Sequence, residues 1–363
     1  MSKELKRTYK NYRDLPKRNQ VEYTEMTELI GDDGKLLVKG GWARHDMFNF
    51  DASKVKPNWR KKQWDFYQIG NGKYMVQISF ANISIAGYVA IMVVDIHTGE
   101  KLVDTMDLFV GGKKYPLPPI SDVPNVVEYA FGNAKFKFDT KERTRTIDVT
   151  TKKNDLEVIA HFDMDMYEDH ESLTTVLPFN DKPTRFFMTT KMNCMPTEGF
   201  VKFGDQEWKF TKEDTFTSLD WGRVNSPYKL VWYWGNGSTY ITDKEGNKHT
   251  FGFEITWGIG DEDNATETAI FYDGKLHKFG SIDVKNFVKD RYMEPWEFET
   301  EDGRFNMTMT PFYDHHSDLN FGVLRMNSHQ VHGVWNGTAT LDDGTVLEIK
   351  DMYAFCEYVE NKW

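Results

Sequence analysis

The segment Leu219-Asp-Trp-Gly-Arg-Val-Asn-Ser-Pro-Tyr-Lys-Leu-Val-Trp-Tyr-Trp-Gly-Asn-Gly237 sets a carboxylate and a guanidinium beside a run of aromatic side chains. Alternate residues of a strand share a face, so Leu230, Trp232 and Trp234 point one way and Val231 and Tyr233 the other. A strand that is apolar on both faces is buried on both. We read Trp221-Gly222 as a turn that folds Asp220 and Arg223 toward each other, with Gly222 giving the backbone freedom. Pro227 then ends the turn and aims Tyr228 into the strand. In such a place Asp220 is suited to acid–base work or to orienting a substrate, with Arg223 setting its protonation state. The same pair reads equally well as a salt bridge locking a turn between domains. On either reading the two side chains are expected close together and buried near a domain junction.

Three other groups of residues invite chemistry. On the amphipathic run Leu156–Tyr167, His161, Asp163 and Asp165 share one face, which suits a metal or proton transfer but more often is a solvated outer surface. In Asp314-His-His-Ser-Asp318, neighbours on an extended chain point apart, so His315 and His316 cannot both reach one metal from a strand; the segment is read as a loop. His329-Gln-Val-His332 offers histidines that can move a proton near neutral pH. We assign His332 a structural place and His329 a functional one. No nucleophile elbow, phosphate loop or dinucleotide fingerprint is present, and no closed set of metal ligands has suitable spacing. No cofactor and no metal are therefore expected.

Strands must position these groups. Alternation recurs from about residue 64 onward, in runs such as Trp64–Ile69, Tyr74–Phe80, Thr144–Thr150, Arg185–Cys194, Tyr228–Tyr240 and His249–Trp257, all rich in β-branched and aromatic residues. Asn71-Gly72, Asp273-Gly274, Asp302-Gly303 and Asp343-Gly344 are hairpin turns by composition. Helix signals are confined to residues 3–14 and Asp283–Lys289. Without a βαβ rhythm a doubly wound sheet is excluded, and an all-β barrel or sandwich remains.

The chain has 363 residues, more than one core usually organises, so two domains are expected. The net charge of −11 argues against a nucleic-acid-binding face. Only the start is basic, with Lys3, Lys6, Arg7, Lys10, Arg13, Lys17 and Arg18 forming a solvated arm rather than a contact for a membrane or partner. There is no apolar stretch of membrane-spanning length and no secretory h-region, and Cys194 and Cys356 form no CxxC; a cytoplasmic protein is expected. The division expected is a basic arm at 1–24, one β domain at 25–210 and a second at 211–363, joined near Gly204–Ser218.

The motifs Trp64-Asp-Phe-Tyr67, Asn193-Cys-Met-Pro196, Asp220-Trp-Gly-Arg223 with Tyr228 and Trp232-Tyr-Trp-Gly235, His329-Gln330, and the ending from Leu341 through Glu357 to Trp363 resemble the bacterial domain-of-unknown-function family numbered 2804. The resemblance runs from about residue 25 to the end. Val224 stands where that family usually has a second glycine. More distantly the chain is similar to carotenoid hydratase and hydroxyneurosporene-synthase proteins. That likeness implies two lipocalin-like antiparallel β-barrel domains side by side, acting on polyene or terpenoid substrates without an organic cofactor.

The expectation is an acid–base enzyme: a hydratase (a lyase), isomerase or cyclase for a hydrophobic small molecule such as a lipid, terpenoid or aromatic natural product. Asp220, Arg223 and His329 are its candidate catalytic residues. Trp221, Tyr228, Trp232, Trp234, Asn193 and Gln330 are its candidate substrate contacts, the indole faces steadying positive charge. The alternative is a binding protein that holds an apolar ligand without chemistry. Convergence of Asp220, Arg223 and His329 in one pocket would favour the enzyme.

Overall fold

The computed structural model describes residues 19–320 and 322–362. The expected helix at 3–14 and most of the basic arm lie outside them. Among the described residues the only helical turns are two short 3-10 segments, Asn58–Arg60 and Gly112–Lys114, and the rest of the regular structure is strand. No helix among them is long and apolar enough to cross a membrane. The fold is all-β, with two large antiparallel sheets and a two-stranded parallel one.

The first sheet has 13 strands. Its central run places Tyr74–Asn82, Lys62–Gly70, Phe216–Asn225, Phe186–Phe203 and Leu156–Asp165 side by side. The second has nine, with Glu267–Tyr272, Lys248–Trp257, Lys229–Thr242, Val346–Lys362, Arg325–Thr340 and Phe305–Asn320 as consecutive neighbours. Phe216–Asn225 pairs within the first sheet, and the second sheet starts at Lys229, so the chain crosses between sheets at 226–228, later than the 210/211 division expected from composition. Residues 19–23 run along the far side, with Asn19 and Val21 amides donating to Asp263 and Asn264 carbonyls.

Period-2 patterning explains the layering. On one face each sheet closes over its own core. Tyr67, Phe80, Phe136, Phe162, Leu219 and Trp221 fill the first; Tyr233, Phe253, Trp296, Trp335 and Tyr358 fill the second. The other faces meet in a third apolar layer that includes Trp42, Phe187, Val224, Ile259 and Phe271, with Trp64, Leu230 and Trp232 packed against it. The Lys229–Thr242 strand thus has the two apolar faces anticipated for it: Tyr233 points into the second core and Trp232 and Trp234 into the seam. Hairpins fall where turn chemistry placed them. Asp273 (φ 47°) and Gly274 (φ 77°) join Glu267–Tyr272 to Lys275–Lys278, the left-handed pair that a primed turn needs.

Three expectations about local structure are corrected. Trp221-Gly222 is no turn but the middle of the Phe216–Asn225 strand, paired on both sides. Gly222 is required there by contact: a Cβ would lie 2.1 Å from Trp64 Cζ2. Asp314–Asp318 is not a loop but part of the Phe305–Asn320 strand, in register with Asn327–Val331. Asp283–Lys289 is not a helix; Ile282–Val284 forms an edge strand, because Val284 and Phe287 are drawn into the second core.

Candidate functional site

In the seam between the sheets lies a cavity of about 210 Å³, walled mostly by Trp64, Phe66, Phe187, Leu230, Trp232 and Trp234. Strand alternation decides what reaches it. Lys62, Trp64 and Phe66 enter from one strand, Asp220 and Val224 from the next, Lys191 from a third, and Glu267 and Glu357 from the second sheet.

Asp220 is nearly buried, with its side chain 14% exposed. Lys191 Nζ is 2.8 Å from its Oδ1, and Trp64 Nε1 donates to its Oδ2 at 3.0 Å. Lys191 also lies 3.8 Å from Glu267 Oε2 and sits over the Trp234 ring, 4.3 Å from the centroid. Glu267 Oε1 accepts from Thr175 at 3.1 Å and from Thr189. Glu254, just behind, accepts from Trp234 Nε1 at 2.7 Å and from Asn236. Glu357 accepts from Trp232 Nε1 at 2.9 Å and from Gln330 Nε2 at 3.5 Å, and Gln77 donates to Gln330 at 2.8 Å.

The electrostatics follow from four carboxylates facing one central ammonium with little water. Burial pushes the Glu357 carboxyl up to about 7 and the Glu254 carboxyl up to about 8. Burial also raises Asp220, against the pull of Lys191. Burial opposes the charge on Lys191, yet Asp220, Glu267 and Glu254 outweigh it and hold the ammonium above its ordinary range. A carboxyl that exchanges its proton near neutrality, Glu357, therefore sits across an aromatic cavity from a Lys–Asp pair.

The residues singled out from sequence divide sharply. Asp220, Trp232 and Trp234 converge on the cavity. Gln330 stands behind Glu357. Arg223 is elsewhere: an odd spacing on a strand puts it on the opposite face from Asp220. It is fully buried in the first barrel, where Nη1 is 3.0 Å from Asp65 Oδ1, Nε and Nη2 both donate to Pro118 O, and the guanidinium lies 3.8 Å from the Trp221 ring centre. The expected Asp220–Arg223 pair does not form, the convergence of Asp220, Arg223 and His329 that would favour an enzyme does not occur, and Trp221 belongs to that core. His329 points into the second barrel, stacked on Tyr292 and His316 at 3.9 and 4.1 Å and bonded to Asp314 at 2.7 Å. Asn193 sews the sheets together, donating to Phe253 O at 2.9 Å from a bulge in the Phe186–Phe203 strand. Tyr228 is exposed and donates to Val323 O. His332 is buried within the seam, and His161 lies on an outer face between Asp148 and Asp163. Among the described residues, no three His, Cys, Asp or Glu side chains converge as a metal site.

Lys191, Glu254, Glu267 and Glu357 were missed. Their signal was available: each is a charged residue within a strand dominated by buried residues, where ionisable side chains are rare unless paired.

The family of this fold and site follows from the sequence match. The chain belongs to the domain-of-unknown-function family DUF2804, whose model covers residues 20–363. No curated protein sequence matches it. Among solved structures it is similar to kievitone hydratase from Nectria haematococca, with 10% identity, 96% of this chain and 98% of that one covered, and a TM-score of 0.47. It is also similar to CghA, with 9% identity, 83% and 87% covered, and a TM-score of 0.45. At that overlap neither likeness bears on chemistry.

Proposed function

We propose that the chain is an acid–base enzyme working without an organic cofactor, a hydratase, isomerase or cyclase for a hydrophobic small molecule held in the seam cavity. The observation that carries this is Glu357: a carboxyl raised by burial to about 7, on the wall of an aromatic cavity that also presents Asp220. Protonated Glu357 gives its proton to one carbon of a C=C bond, forming a C–H bond and leaving a cation on the other carbon. The faces of Trp64, Trp232 and Trp234 steady that cation. In hydration, water adds to the cation and Asp220 takes the released proton. In isomerisation, Asp220 removes a proton from the adjoining carbon and the double bond re-forms there. Either route leaves Glu357 ionised and Asp220 protonated, and exchange with solvent restores both. Lys191 favours the charged form of Asp220 against the burial that raises it.

The test is deuterium uptake. Citronellic acid, geraniol and farnesol are incubated with the protein in D2O and followed by mass spectrometry. Uptake of carbon-bound deuterium that disappears in Glu357→Gln and Asp220→Asn supports the reading. Binding of a probe by calorimetry with no uptake in any case replaces it with a ligand-binding protein.

A further inference from the structure

Both oxygens of Glu357 are held by donors. Trp232 Nε1 donates to Oε1 at 2.9 Å, and Gln330 Nε2 to Oε2 at 3.5 Å. Gln330 is the cross-strand neighbour of Glu357 and only 5% exposed, so its amide must find its partners within the protein. Its own oxygen is taken from the other sheet: Gln77 Nε2 reaches across the seam and donates to Gln330 Oε1 at 2.8 Å. Gln77 is anchored in turn by Gln68, its register partner on the neighbouring strand, whose Oε1 accepts from the same Nε2 at 3.0 Å.

A primary amide can favour either form of a carboxyl. Turned NH2 first it donates to a carboxylate and stabilises the charge; turned oxygen first it accepts from a carboxylic acid and stabilises the proton. Gln77 decides which way Gln330 faces. Its NH2 carries two hydrogens, and Gln68 Oε1 and Gln330 Oε1 take one each. If the Gln330 amide turned round, its NH2 would meet the NH2 of Gln77, donor against donor, and buried hydrogens would be left without an acceptor.

We propose that Gln77 is a positioning residue for Glu357: bonded across the seam, it locks the Gln330 amide with its NH2 toward Glu357 and so steadies the carboxylate that remains once the proton has been given up. The use of the lock in turnover rests on the acid–base reading; the lock itself rests on the hydrogen bonds. The titratable groups round the cavity are Lys62, Tyr88, Lys191 and Asp220 on the first sheet and Glu267 on the second, with Glu254 behind and His332 two residues along from Gln330. Neither glutamine carries charge, so replacing one by an apolar side chain leaves the charges of all these groups in place. Burial remains the larger influence on Glu357, and Gln330 acts against it.

Carbon-13 NMR of the Glu357 carboxyl, assigned by its loss in Glu357→Gln, tests the lock without a substrate. In the wild type the signal is expected to titrate at about 7, and the Gln330 side-chain amide protons to shift with it. Gln77→Met removes the donor that holds Gln330 and is expected to raise the midpoint by on the order of one unit, a tenfold weaker acid. Gln330→Met is expected to do the same, and adding Gln77→Met to it should raise the midpoint no further, because Gln77 acts only through Gln330. A Gln77→Met variant that melts earlier but leaves the Glu357 titration unchanged is a mere stitch between sheets and overturns the proposal. So does a Gln77→Met effect that persists in full beside Gln330→Met. If Gln77→Met does not fold, the wild type decides: Gln330 amide protons that ignore the Glu357 titration overturn the lock. A wild-type midpoint at the ordinary 4.5 removes the acid–base reading, whereas a midpoint at about 7 that neither variant moves removes only the lock, so the two fail separately.

Discussion

Lys191 and Asp220 face each other across neighbouring strands, in register and 2.8 Å apart, and this ion pair forms the floor of the seam cavity. Lys191 is the ammonium that Asp220, Glu254, Glu267 and Glu357 all feel.

Removing that ammonium leaves several carboxylates buried without compensation. Lys191→Met is expected to cost about 3–5 kcal/mol, the usual loss when one partner of a buried pair is removed. Adding Asp220→Asn should recover part of it. Urea melts of both single variants and the double variant measure this, and equal stability of Lys191→Met and wild type would refute the central role of the ammonium.

The pairings of Asp220 and Arg223 can be separated by double-mutant cycles. Arg223→Gln and Asp65→Asn should show a coupling on the order of 1–3 kcal/mol, since they share a buried contact. Arg223→Gln and Asp220→Asn lie on opposite faces and should be additive within about 0.5 kcal/mol. A large Asp220–Arg223 coupling would contradict the strand geometry.

Glu357 titrates with a pKa of about 7 in the folded protein, above its ordinary 4.5, because burial disfavours the carboxylate. The folded state therefore holds a proton that the unfolded chain has released, and the stability from this group, full below about 4.5, is lost as pH rises through 7. Glu357→Gln cannot lose that proton. Its melting temperature, relative to wild type, should rise between pH 6 and pH 8. A difference that stays constant over that window would show that Glu357 is ionised throughout.

Gly222 leaves room for the indole that bonds Asp220. Gly222→Ala puts a methyl 2.1 Å from Trp64 Cζ2 and must displace the ring. The expected result is a destabilisation of about 1–3 kcal/mol from overpacking and an altered tryptophan emission. An unchanged spectrum and melting temperature would mean that Trp64 is not held there.

Alternation, β-branched and aromatic content and the Asp-Gly and Asn-Gly turns were enough to determine an all-β chain, because these are local properties read over a few residues. The two-faced strand at Leu230–Trp234 also placed Trp232 and Trp234 in a buried layer, and Asp220 beside them. The same alternation, applied through Phe216–Asn225, would have put Asp220 and Arg223 on opposite faces. What obscured it was Gly222, which reads locally as a turn and is in fact a notch for Trp64, a residue 158 positions away in the chain. The rest of the site lay further from view. Lys191, Glu254, Glu267 and Glu357 come from four strands in two sheets. Periodicity assigns each side chain to a face, but not to a partner. Register within a sheet brought Lys191 to Asp220, and the packing of sheet on sheet brought Glu267 and Glu357 to both. Only that packing removed the water, and the removal of water is what lifts Glu357 toward neutrality and separates it from an ordinary surface glutamate.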